Sequence, residues 1–482
     1  MRLRFPRMLR MTGVIAMTAL FAGCALPPEP SPGAPLSLPS GWRHGRADAG
    51  LADDGVTAQW WQSLHSDELD RLVTRAQAQS LDVAAAVARV RQAQARARMA
   101  GAGLLPVVSG FVDANRQGRF GGSAALTGST FTAGLAASYE LDFWGGNRAS
   151  RDAALSSLQA SVFDRDTVRL TVTAGAASAW LQAVALCERI GIAGRNLANA
   201  RRVLALVESQ NRAGAASPLD LAQQRGLVAA QERALAALRQ QAEDARTALA
   251  VLLGEPAGTT GAAGLDVQAD ALERLELPAI GAGLPSDLLT RRPDVARAEA
   301  QLAAADADIA VARAAMLPRV TLTASVGTGG DRLGRVFDDP LYSLAAGLAA
   351  PIFDAGRLAA GRDLAVAWRE ELLAQYRQAL VAAFGDVETA LNAVQGLDAQ
   401  RTAQAVELEQ AGRAATLAES RYRAGAETLL TLLDAQRTLY MAQDMAVQLK
   451  AQRLLASVSL YRALGGGWRF VPMHQAARAD RP

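Results

Sequence analysis

Two stretches, about 149–212 and about 357–423, hold no proline and only scattered glycines, and each reads as one unbroken helix. At 1.5 Å rise per residue, each runs to roughly 95 Å. No compact globule encloses a rod of that length. Its partners must lie alongside it, so the chain is an elongated, helix-dominated body. The composition agrees: half the residues are apolar, mostly alanine and leucine, and only 5% are aromatic.

The two rods belong to a sequence written twice. Leu105-Pro106 returns as Leu317-Pro318, Arg212-Ala213-Gly214-Ala215 as Arg423-Ala424-Gly425-Ala426, and Leu253-Gly254 as Leu464-Gly465. Arg148, after Phe143-Trp144, returns as Arg357 after Phe353. These landmarks keep their order at nearly one offset, which implies two tandem structural repeats. Each repeat predicts the same elements: a helix (about 66–102 and 286–316), two strands, the long helix, a turn at Gly214 or Gly425, and a returning helix (about 218–253 and 428–464). The boundaries that follow are a signal peptide over 1–23, a Pro-rich tether and the start of a collar over 24–65, and a first repeat over 66–254. A collar segment over 255–284, a second repeat over 285–465 and a tail over 466–482 complete the chain.

Along the last helix, Leu433, Tyr440, Val447, Leu454 and Tyr461 fall seven apart and predict a coiled-coil seam. Gln436, Arg437, Gln443, Asp444 and Lys450 read as the opposite, solvated face. The strand segments, about 106–144 and about 318–353, hold two strands each, long enough to cross a bilayer at a tilt. Four strands cannot close a barrel, and an open edge is not tolerated in lipid. Either several chains pool their strands, three giving a 12-stranded barrel, or the four form a soluble domain on a helical stalk.

Charge excludes a nucleic-acid partner. The sequence pI is about 9.1, but residues 1–23 carry Arg2, Arg4, Arg7 and Arg10 and no acid. Without them, 46 basic residues face 47 acidic ones. Cys24 and Cys187 are the only cysteines, and His44, His65 and His474 are scattered, so neither a disulfide scaffold nor a metal site is predicted. Residues 11–22 form an apolar stretch too short to span a bilayer and suited to a signal sequence. With Ala22, Gly23 and Cys24 after it, the N-terminus resembles a bacterial lipoprotein signal, although Phe21 stands where that pattern prefers Leu. The resemblance implies a covalent lipid on Cys24 as the only attached group, and Ala25 after it implies sorting to outer membrane lipid. Six prolines between 27 and 39 predict an extended tether. Cys187 reads as a small buried apolar residue.

Taken together, the doubled landmarks, YELDFWGGNR at 139–148, PIFDAGR at 351–357 and RYRAGAETLLTLLDAQRTLY at 421–440 resemble the TolC-type outer membrane efflux proteins, in their lipoprotein, OprM- or NodT-like branch. The resemblance spans about 24–470. It implies a homotrimer whose strands make one 12-stranded barrel and whose helices form a periplasmic tunnel, meeting a periplasmic adaptor (membrane fusion) protein and an inner-membrane pump of RND type. It implies passive conduction with a gate at the periplasmic end. Leu430 and Asp434 map onto the constriction, with Arg437 one turn on and Asp220 at the matching tip, where an arginine across helices is its implied partner. Thr431 stands where many members carry a second acid. Arg212, Gly214, Arg423 and Gly425 map onto the tips that the adaptor contacts. A periplasmic coiled-coil structural or adaptor lipoprotein without a pore is the alternative, though no lipoyl-like all-β domain is present. No enzyme motif is found: no Walker A, no nucleophile elbow and no HExxH. Around His65, Ser66 or Asp67 reads as a helix cap.

Overall fold

A computed structural model describes residues 39–44, 56–118, 128–256, 271–275, 280–283 and 285–469, all within one compact unit, Pro39–Pro482. The signal sequence, Cys24, most of the tether, much of the predicted collar and the tail beyond Arg469 lie outside the described residues.

After a 3₁₀ turn at Trp60–Leu64 come α1 (Asp67–Gln79) and α2 (Leu81–Ala102), then strands β1 (Val107–Gln117) and β2 (Gly128–Leu141), then α3 (Gly146–Arg212) and α4 (Pro218–Leu252). The second repeat carries α5 (Pro293–Ala314), β3 (Arg319–Gly330), β4 (Asp339–Ala349), α6 (Arg357–Arg423) and α7 (Leu429–Ala463). Short turns of helix at Ala271–Arg274 and Leu288–Arg291 lie between the repeats. Both α3 and α6 have 67 residues, or about 100 Å of rod. On the strand side, α2, α3, α5 and α6 pack in that order; on the tip side the order is α4, α3, α7, α6.

The first helix of each repeat is shorter than the sequence predicts. α1 and α2 are separated at Ser80, whose backbone is extended at ψ 127°. α5 begins only after Arg292, with φ −111° and ψ 121°. Pro293 accounts for the second break, because the residue before proline is forced out of the helical region. At these breaks the returning helices arrive end-on. A Cβ on Gly254 would stand 2.7 Å from the Gln79 carbonyl oxygen, and one on Gly465 would strike the Arg291 carbonyl. Both glycines hold positive φ (73° and 88°), so close approach and backbone handedness each demand glycine. In the second repeat the joint carries a buried cation. Arg292, 9% exposed, donates from Nη1 to the Ala463 carbonyl at the C-terminus of α7 (3.2 Å) and to Asp386 (3.0 Å), and from Nη2 to Asp294 (2.7 Å). A cation there complements the partial negative charge of the helix end.

The four strands form one antiparallel sheet in the order β1-β2-β3-β4. Directly opposed residues share a face, and the register sorts most side chains by polarity, with Arg116, Ser129 and Thr328 on the apolar face and Val107, Phe111 and Leu341 on the polar one as exceptions. One face carries Val108, Val112, Leu135, Tyr139, Leu322, Val326, Tyr342, Leu344 and Leu348. The other carries Ser109, Asp113, Asn115, Thr130, Thr132, Glu140, Thr321, Thr323, Ser325 and Ser343. β1 pairs only with β2, and β4 only with β3, among the described residues.

Matching aspartates join sheet to rod. Asp142 accepts from the backbone N–H of Asn147 (3.0 Å) and Arg148 (2.9 Å) and from Arg148 Nε (3.1 Å) at the start of α3. Asp354 accepts from the N–H of Gly356 (3.0 Å) and Leu358 (2.8 Å) at the start of α6. Partial burial opposes the charge on Asp142, but these donors outweigh it and hold the carboxyl below its ordinary value. This is the physical content of the YELDFWGGNR and PIFDAGR motifs.

The largest core lies beside the middle of α3. Trp60, Trp61 and Leu64 pack there with Leu69 and Val73 of α1, Trp180 and Leu181 of α3, and Leu454 and Tyr461 of α7. Trp60 stacks on Tyr461 at a centroid distance of 4.8 Å, and Ser66 is the α1 N-cap, accepting from the Leu69 N–H. Of the described collar residues, Trp42 donates to the Gly283 carbonyl (2.9 Å), and Glu388 accepts from the Arg43 N–H (2.7 Å) and lies 3.0 Å from His44 Nδ1. Cys187 is half-buried, and burial raises its thiol pKa. Replacing Gly465 with alanine is expected to destabilise the assembly by about 1–3 kcal/mol, read as a lower thermal dissociation temperature of the detergent-purified protein. An unchanged temperature would mean that the end-on joint is not tight.

Candidate functional site

At the ends of α3 and α6, Gly214 and Gly425 have φ of 75° and 72°. Ala215 N–H donates to the Gln210 carbonyl (2.8 Å), and Ala426 N–H to the Arg421 carbonyl (2.9 Å). These are left-handed glycine caps closing each rod. Ser217 and Thr428 cap the returning helices, accepting from the N–H of Asp220 (3.1 Å) and Thr431 (3.3 Å). The turns thus satisfy their own backbone and leave Arg212 and Arg423 exposed. Arg212 reaches back to the Glu208 carbonyl, and Arg423 pairs with Glu419.

Asp220 departs from the sequence expectation. Its carboxylate accepts from Ser217 N–H (2.9 Å) and Oγ (2.7 Å), completing a capping box, and among the described residues no arginine partners it across helices. A carboxylate three residues after Ser217 is placed to cap first. Its charge is still felt by the other hairpin: burial, and then Asp220, push the Tyr422 phenol above its usual pKa. Tyr422 donates to Gln210 Oε1 (2.8 Å) and ties the two rods together near the tips. Beside it lies a groove of about 380 Å³, lined by Arg202, Leu206, Gln210, Tyr422, Arg423 and Leu432.

On α7 the structure brings Leu430, Asp434 and Arg437 onto one exposed stripe that continues through Met441 and Met445. Leu430 is 61% exposed. Among the described residues neither Asp434 nor Arg437 has an ion-pair partner; the Asp434 carbonyl accepts from Thr438 Oγ1. The stripe is therefore free to meet other copies of the chain.

Behind it the seam is as expected: Leu433, Tyr440, Val447, Leu454 and Tyr461 are all buried. The opposite face is only in part the solvated surface that its composition suggests: Arg437 is exposed, but Asp444 and Gln436 are not. Asp444 is held by Arg189 of α3 through Nε (2.6 Å) and Nη2 (3.0 Å). Gln436 is 2% exposed, and among the described residues neither atom of its amide has a partner. α7 packs on α6, α3 and α4 at once, so its buried arc is wider than a two-helix seam and takes in the glutamine.

The wall, the rods and the tips describe one object. The outer membrane efflux protein family model matches residues 72–255 and again 284–466. The chain belongs to that family. It is 50% identical over 465 residues to the pyoverdine export outer membrane protein OpmQ of Pseudomonas aeruginosa, covering 95% of this chain and 96% of that one. It is 32% identical to the outer membrane protein OprJ of the same species, over 97% and 98% of the two chains. The solved open state of the Neisseria gonorrhoeae MtrE outer membrane channel superposes with a TM-score of 0.81 at 28% identity, covering 91% of this chain and 98% of that one. The protein is an outer membrane efflux channel. Three chains pool their strands into a 12-stranded barrel, and their rods form the periplasmic tunnel. The apolar face of the sheet meets lipid, and the polar face lines the lumen.

Gln436→Leu removes a buried amide that has no partner, and is expected to raise stability by about 1 kcal/mol, measured by thermal denaturation. A fall in stability would show that the amide is satisfied in the assembled channel.

Proposed function

We propose that this channel is the passive exit duct of a tripartite efflux system, carrying a pyoverdine-type siderophore from an RND-type inner-membrane pump and a periplasmic adaptor to the exterior. One observation carries the reading as a duct: a sheet apolar on one face and polar on the other, with two unpaired edges, mounted on rods of about 100 Å. The cargo rests on likeness. The relatives near 50% identity are pyoverdine exporters in two Pseudomonas species, while several others, toluene and antibiotic efflux proteins among them, stand near 32–33%.

The gate lies on the exposed stripe of α7. Three copies of Leu430 and Asp434 ring the axis in the closed state. Asp434 is held by bonds to neighbouring chains, and Arg437, one turn along, is within reach as its partner. Asp220 acts at the matching tip by fixing the start of α4. The adaptor contacts the tips at Arg212, Gly214, Arg423 and Gly425, where the groove beside Tyr422 opens between the rods. Cys24 carries a lipid that adds a second membrane attachment to the barrel.

Planar-bilayer recording of the detergent-purified trimer tests the duct and its gate together. The wild type should form discrete channels; a monodisperse monomer that forms none would refute the reading. Asp434→Ala and Arg437→Ala should both raise conductance, since each lost charge-assisted bond costs about 1–3 kcal/mol and three are lost at once. Unchanged conductance and ion selectivity in Asp434→Ala would remove it from the gate. Mass spectrometry of the mature N-terminus should find an acylated Cys24 and, in Cys24→Ser, no lipid; a free thiol would refute the anchor.

A further inference from the structure

The lumen face of the sheet has one row unlike the rest. Phe111 stands opposite Gly134, Gly134 opposite Gly327, and Gly327 opposite Leu341. The rows on either side are polar or small: Asp113, Thr132, Gly329 and Asp339 on one, and Ser109, Ala136, Ser325 and Ser343 on the other. The described residues of this face hold no second aromatic ring. Phe111 does not hang free. A Cβ on Gly134 would lie 2.9 Å from Phe111 Cζ and 2.8 Å from the Gly327 Cα, so the ring lies down over the notch that the two glycines leave. Ring placement over a strand glycine supports the sheet. It also turns the other π face into a lumen whose described residues are mostly small or polar.

We propose that Phe111 is a lumen-side contact for planar aromatic solutes in transit, three rings from three chains forming an aromatic belt within the barrel. The inference rests on the reading of the polar face as the lumen of a conducting trimer. A ring immobilised at its edge loses little freedom on stacking. It offers planar cargo an offset-stacked contact that the hydroxyls and carboxylates around it cannot supply. A saturated solute of the same charge gains nothing comparable.

The test is block of the single-channel current by benzenesulfonate and by cyclohexanesulfonate, which share charge and approximate size. In the wild type the aromatic solute should block at lower concentration than the saturated one. Phe111→Ala and Phe111→Leu should weaken the aromatic block about twofold to tenfold, the range that one lost aromatic contact spans, and leave block by cyclohexanesulfonate unchanged. Phe111→Tyr should retain the aromatic preference. Leucine fills the glycine notch without a π system, so a loss in both variants, with trimers of wild-type thermal stability for Phe111→Leu, separates recognition from support of the sheet. Equal change for the two solutes, or no change for either, would overturn the inference. A wild type that carries no channel current would overturn the duct reading, and this inference with it.

Discussion

Everything in this protein answers to the hydrogen bonds that its sheet lacks. Backbone N–H and C=O groups have no partner in hydrocarbon, and each left open costs several kcal/mol. The chain supplies four strands, pairs three interfaces and leaves β1 and β4 with one bare edge each, while one face of the same sheet is apolar enough for lipid. A soluble solution is closed to it by that face, and a monomeric membrane solution by those edges. Trimerisation satisfies both, and the three-fold axis it creates then aligns the rods into a tunnel.

Duplication supplies the halves, and their differences supply function. The joints where a returning helix meets the next one are matched, with Gly254 at Gln79 and Gly465 at Arg291. Yet where the first has small Ser80, the second has Arg292 buried among Asp294, Asp386 and the end of α7. Burial opposes the Arg292 charge, but its two aspartates keep it firmly protonated. At the tips, Asp220 closes a capping box on α4, whereas Thr431 stands in its place on α7. The second hairpin takes its acid from Glu427 instead, just before the cap, which accepts from Thr431 Oγ1 (3.1 Å). Arg189–Asp444 and Tyr422–Gln210 cross between the hairpins, the first tying α7 to α3 and the second tying α6 to α3.

Much of the candidate site was legible because turn chemistry is local. Arg-x-Gly at the two tips, Ser217 and Thr428 as caps, and the seven-residue spacing from Leu433 to Tyr461 depend on neighbours a few residues apart. Gln436 was not legible. Its polarity reads as surface, and only the convergence of three helices on α7 buries it. The arginine partner expected for Asp220 failed for a related reason: a carboxylate beside its own helix start finds backbone donors before it finds a distant side chain.

The parts themselves are legible along the chain. Proline-free rods, strand lengths and glycine turns are all written in short-range pattern, because helix and strand periods and cap geometry act over a few residues. Which parts meet is settled by long-range packing. The register that puts Phe111, Gly134, Gly327 and Leu341 in one row, the end-on joints at Gly254 and Gly465, and the Arg292 cluster join residues up to two hundred positions apart. Their contacts are set by how one four-stranded sheet and two rods pack together, an arrangement in which a shift of one residue in β1 would exchange lipid and lumen for every side chain it carries.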